Sequence, residues 1–215
     1  MENEFEKSGN PWEDIDLETY EKHMRLDTVR QLQAMNAIMM QQFEAYPVQT
    51  VMILGVAGGN GLEHIRTDKY KTVYGVDINK DYLQAVSERC ANLNNILRCL
   101  HIDLIHETEK LPESQLVIAN LLIEYIGYDA FQEAILHIKP EYVSCVIQIN
   151  TDDKTWVSDS PYLHAFDSLD SIHHQMDEAA LIQVMKETGY NRILQASGAL
   201  PNGKALVRVD FIRQM

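Results

Sequence analysis

Apolar residues along this chain follow two rhythms. Residues 51–54, Val-Met-Ile-Leu, are four apolar positions in a row bounded by turn formers, the pattern of a strand buried on both faces. Similar runs predict strands over residues 73–77, 96–101, 115–119 and 142–148. Between them apolar positions recur every three or four residues. Asn79 is placed to cap a helix that turns Leu83, Val86 and Cys90 inward, and a helix over residues 128–138 is stopped by Pro140. Asp177 caps another, which carries Leu181, Val184 and Met185 and ends at Gly189. The alternation predicts βαβ units, hence a parallel sheet with helices on both faces.

The two ends of the chain differ. Upstream, residues 17–24 predict a short helix with Tyr20, His23 and Met24 on one face. Asp27 reads as the N-cap of a long helix striped by Val29, Leu32, Met35, Met39 and Phe43, and Pro47 closes it. Trp12 is the apolar landmark of the acidic first 18 residues and calls for a surface to dock against. Downstream, residues 151–174 form a long polar and aromatic stretch, the length at which loops tend to be functional or disordered. A terminal hairpin turns at Asn202-Gly203, with Val207, Val209 and Phe211 alternating with Arg208 and Asp210.

Charge narrows the partners. With 18 basic and 32 acidic residues the net charge is −14, and no basic stripe stands out, which argues against nucleic acid. No apolar run reaches the ~18 residues of a membrane span, and the acidic start is unlike a signal peptide. Cys90, Cys99 and Cys145 read as reduced thiols of a cytoplasmic protein. Oligomeric state leaves no signature.

Chemistry concentrates at the ends of the predicted strands. Glycines crowd residues 55–61, and residues 62–65 read as the opening of a helix, so strand, turn and helix start form a nucleotide-type cradle. In a parallel sheet the ligand lies outside the carboxyl ends of the strands. Asp77 follows the second strand at the distance suited to a ribose hydroxyl pair, Asp103 follows the third and Asn120 the fourth. A nicotinamide fingerprint started at Gly59 would need a small residue where His64 stands, and no Lys-Ser or Lys-Thr follows the glycines as in a Walker loop. His164, His173 and His174 lack zinc-type spacing, so no metal is expected.

In this order and spacing the chain resembles the class I S-adenosylmethionine-dependent methyltransferases over roughly residues 35–215. The family's acid-x-Gly-x-Gly-x-Gly signature overlays residues 55–61. Gly59 and Gly61 match; Ala57 stands for the first glycine, and Gly55 replaces the acid that helps hold the methionine amino group, with Asn60 or Asn120 as candidate substitutes. The resemblance implies a Rossmann-like, doubly wound α/β sheet of about seven strands, mostly parallel with an antiparallel C-terminal hairpin. It implies S-adenosylmethionine as cofactor, with Asp77 on the ribose, Ile78 on the adenine, Asp103 and Leu104 at the adenine amino group, and Asn120 and Leu121 lining the methionine end. Residues 47–215 would form the cofactor domain and residues 1–46 an acidic segment and helical lid, with Tyr20 over the cofactor.

Glu124 and Tyr125, just past the fourth strand, and His164, in the long loop, are the candidates for a general base. The plainer alternative pairs Glu124 with a Lys or Arg and leaves His164 on the surface. The leading expectation is methyl transfer to a small-molecule acceptor. The alternatives are a non-catalytic S-adenosylmethionine or S-adenosylhomocysteine binder, motivated by Gly55, and a methyltransferase acting on protein side chains.

Overall fold

The computed structural model describes residues 9–150 and 156–214. Residues 1–8, the acidic start, and 151–155, the beginning of the long loop, lie outside the described residues. The first five strands form where the apolar runs lie: β1 (Thr50–Leu54), β2 (Thr72–Asp77), β3 (Leu97–His101), β4 (Leu116–Asn120) and β5 (Tyr142–Ile149). The hairpin supplies β6 (Tyr190–Ala199) and β7 (Ala205–Arg213). One seven-stranded sheet results, in the order β3-β2-β1-β4-β5-β7-β6, with β7 antiparallel to both of its neighbours. In-register pairing of Leu54 with Val76 and Ala119 aligns the carboxyl ends of β1, β2 and β4 at one edge.

Five α-helices accompany the sheet: α1 (Leu17–Arg25), α2 (Gln31–Ala45), α3 (Lys80–Arg89), α4 (Ile123–Ile138) and α5 (Glu178–Glu187). Met39 and Phe43 of α2 share a core with Leu83 and Val86 of α3 and with β1. Phe131 and Ile135 of α4 and Leu181 and Met185 of α5 close the opposite face. Asn79 and Asp177 cap as expected: the Asn79 side chain accepts from the amides of Asp81 and Tyr82, and Asp177 from that of Ala180.

Three expectations need correction. No α-helix follows the glycine turn; residues Leu62–His64 make a single 3-10 turn. The stretch after it lacks an apolar stripe, and α2 covers this part of the sheet instead. Helix α2 starts at Gln31, because Arg30 turns into the left-handed region at φ 52°, and Asp27 caps nothing there. Helix α4 begins before residue 128, with its first turn set off by Gly127 at φ 75° and ψ 170°, a conformation open to glycine. In the terminal hairpin, Arg208 and Asp210 are buried along with the apolar residues they alternate with. Since β7 is an interior strand, its second face also lies under structure, and the pair is held by mutual hydrogen bonds of 2.9 and 2.5 Å.

Candidate active-site cleft

The aligned strand ends open into a cleft with three adjoining lobes, which meet at Tyr20 and Leu121. The first has a cavity volume of about 80 Å³ and is partly open to solvent. Gly55, Ala57, Asp77, Ile78, Asp103 and Leu104 line it, together with Asn120 and Leu121. Asp77, at the end of β2, accepts from the amides of Ala57 (2.9 Å) and Asn79 (3.0 Å). Those bonds hold the glycine turn and still leave lone pairs free toward the lobe. Burial raises the Asp77 carboxyl above the usual range, against the pull of these amides. The Asp103 carboxylate is engaged locally, with the Ile105 amide and His106 Nδ1, both at 2.8 Å.

The second lobe reaches Asn60, Glu21 and Gly58. Asn60 is tied to α2, donating to the Leu32 carbonyl at 2.9 Å and accepting from Asn36 at 3.0 Å. The Asn120 side chain exchanges two amide hydrogen bonds with Gln42, at 2.8 and 2.9 Å. Gly55 sits at φ 69°, and a Cβ there would come within 3.1 Å of the Leu122 side chain. An acid at this position would be strained.

The third lobe lies beyond Leu121, whose own φ of 53° is unusual for a leucine. Glu124 lines it at 3% exposure. Its Oε1 accepts from the Gln148 amide at 3.0 Å, whereas Oε2 is buried without a hydrogen-bond partner. Desolvation pushes this carboxyl up to about 7. Tyr125 borders both the first and third lobes and packs edge-on to Trp12 and Trp156. His23 and His173 also line the third lobe, each lowered to about 4 by burial and so kept neutral.

The stretch from Asn10 through α1 covers the cleft. Trp12 stands edge-on to Tyr20 at 5.7 Å and to Tyr125 at 4.8 Å, and Tyr20 stacks toward Tyr82. Asn79 donates to the Trp12 carbonyl at 2.9 Å, and Arg89 ties Glu21 of α1 to the Gly58 carbonyl. Three sequence candidates fall outside the cleft. Gly59 and Gly61 face away from it, where a Cβ on Gly61 would sit 2.6 Å from that of Met39; they serve close packing. The His164 side chain is 89% exposed on a 3-10 segment and pairs with Asp167, so it does not reach the cleft. Tyr82, Gln31, Gln148 and His173 are cleft residues that sequence reasoning missed, since none lies just after a strand with a charge to flag it.

No family model and no curated protein matches the chain. Solved structures do. Magnesium protoporphyrin IX methyltransferase from Synechocystis PCC 6803, solved with bound SAM, superposes with a TM-score of 0.59 over 98% of this chain and 93% of its own, at 12% identity. The N-methyltransferase NodS from Bradyrhizobium japonicum WM9 gives 0.62 over 85% and 96%, at 11% identity. The [4+2]-cyclase SpnF gives 0.65 over 87% and 83%, at 7% identity.

The fold is that of the S-adenosylmethionine-dependent methyltransferases.

In this methyltransferase fold the three-lobed cleft occupies the strand-end position where the sheet order reverses between β1 and β4. Among the described residues no group of His, Cys, Asp and Glu could hold a metal ion, and no helix is long and apolar enough to cross a membrane.

Proposed function

We propose that this chain binds S-adenosylmethionine and transfers its methyl group to a small-molecule acceptor. One observation carries the reading. Among the described residues, two buried side-chain polar atoms lack a hydrogen-bond partner, Tyr82 Oη and Glu124 Oε2, and the two residues line different lobes of this cleft. Buried polar groups are almost always paired, so such orphans mark the places of ligand atoms. Because one similar structure is named a cyclase, methyl transfer is read from the site and not from the fold.

The residues present fit the cofactor. Asp77 and Tyr82 would take the ribose, with Ile78 and Leu104 against the adenine and Asp103 at its edge. The amino-acid end would lie in the second lobe with Glu21, Asn60 and Asn120, in place of the acid missing at Gly55. When bound, the cofactor supplies an electrophilic methyl group, which asks for alignment and, with a nitrogen or oxygen acceptor, loss of a proton. Glu124 Oε2 is the group placed to accept that proton, and a carboxyl near 7 is matched to the task. Tyr125 shapes the lobe. Residues 10–26 act as the lid: Trp12 and Tyr20 exclude water from the junction. The covered third lobe favours a small acceptor over a protein side chain, and the net charge disfavours a phosphate polymer. Three free cysteines suit the cytoplasm.

Calorimetric titration with S-adenosylmethionine and S-adenosylhomocysteine tests the reading. Both should bind, and Asp77→Asn should weaken each at least about tenfold, or about 1.4 kcal/mol. A folded wild type that binds neither contradicts it; binding without turnover on any acceptor would leave the non-catalytic binder.

A further inference from the structure

Resting on the cofactor reading above, we propose that the third lobe recognises an amine: a small molecule whose ammonium group pairs with Glu124 and whose frame lies between aromatic walls. Three features of the lobe point the same way. Its ionisable acid, Glu124, is buried with Oε2 unpartnered, so a ligand donor is needed there. An ammonium supplies up to three donors and the opposite charge.

The walls are aromatic: Trp12, Tyr20, Tyr125, Trp156 and Phe166. Ring faces attract cations. Trp156 is also fixed in place, with its indole N–H donating to Asp170 at 2.6 Å and His173 stacked on it at 4.2 Å. No Lys or Arg is among the lining residues, His23 and His173 are held neutral, and the nearby Lys204 ammonium lies behind the wall, donating to the Trp156 carbonyl. A chain of net charge −14 draws cations toward it.

The chemistry balances within the chain. The ammonium gives one proton to the Glu124 carboxylate, yielding a neutral amine with a free lone pair and a neutral carboxylic acid. Burial, which raises this carboxyl to about 7, makes it a willing acceptor.

The test uses the full chain saturated with S-adenosylhomocysteine, after that ligand's own binding has been measured. The probes are 2-phenylethylamine, 2-phenylethanol and 3-phenylpropionate, followed by calorimetry and tryptophan fluorescence. The amine should bind about tenfold or more tighter than the alcohol, and the carboxylate more weakly still. Glu124→Gln should remove the amine's advantage while leaving S-adenosylhomocysteine affinity unchanged. Trp156→Leu should weaken the amine more than the alcohol.

Failure of S-adenosylhomocysteine to bind overturns the cofactor reading. Its binding together with an amine no tighter than the alcohol, or with the carboxylate preferred, overturns the amine inference alone. The wild-type comparison of three probes decides this even where a variant does not fold.

Discussion

At the scale of the residue, Glu124 is the informative side chain. Its carboxyl is raised from an ordinary 4.5 to about 7 by burial alone, without a cation beside it. His23 and His173, which face the same lobe, are neutral above about 4 and do not offset it. Between pH 4.5 and 7 the folded chain keeps a proton that the unfolded chain releases, so this group's contribution to stability is lost as pH rises through that window. The unfolding free energy of wild type should therefore fall relative to that of Glu124→Gln between pH 5 and about 8, by about 1–3 kcal/mol, and its Tm should fall with it. Thermal melts of both proteins across this range check it, and a gap independent of pH would mean that Glu124 is not a buried titrating acid. Glu124 was legible as a candidate because it follows a strand end closely. His164 was misread because a loop residue gives no sign of which way it faces, and here it faces water.

At the scale of the element, the glycine turn works differently from a phosphate-binding loop. Only a 3-10 turn follows it, so no α-helix N-terminus comes directly after the glycines. The turn is instead clasped from outside, by α2 against Gly61 and by the Asp77 carboxylate on the Ala57 amide. Gly61→Ala would combine a Cβ 2.6 Å from Met39 with a φ of 91°. A loss of about 2–4 kcal/mol is expected in urea unfolding. Gly198→Ala, where a Cβ meets nothing within 4 Å, serves as the control, and equal losses in the two would contradict the clasp. Strands were readable because buried runs of valine, isoleucine and leucine have few other uses. The missing helix was not, since Leu62, Glu63 and His64 open like one and only the packing of α2 shows the place to be taken.

At the scale of the whole molecule, a buried polar chain joins β7 to the cleft. Arg208 pairs with Asp210, which accepts from Tyr46 at 2.6 Å and from Ser144 at 2.5 Å. Gln42 donates to Ser144 at 2.8 Å and meets Asn120 at the cleft wall. Strand alternation set Arg208 and Asp210 on the face opposite Val207, Val209 and Phe211; the sheet order, with β7 between β5 and β6, shows why that face is covered too. Asp210→Ala would strand a buried guanidinium and should cost about 3–5 kcal/mol in urea unfolding, where a loss under about 1 kcal/mol would show the pair to be solvated. The cleft itself assembles residues 10–173, and its position was legible because strand ends in a parallel sheet have one destination. The most direct measurement is a crystal structure with S-adenosylhomocysteine. The adenosine is expected beside Asp77 and Tyr82, the amino-acid end near Glu21, Asn60 and Asn120, and the sulfur at the Tyr20–Leu121 junction facing Glu124. A ligand bound elsewhere, or one whose sulfur points away from the third lobe, would contradict the assignment of the three lobes.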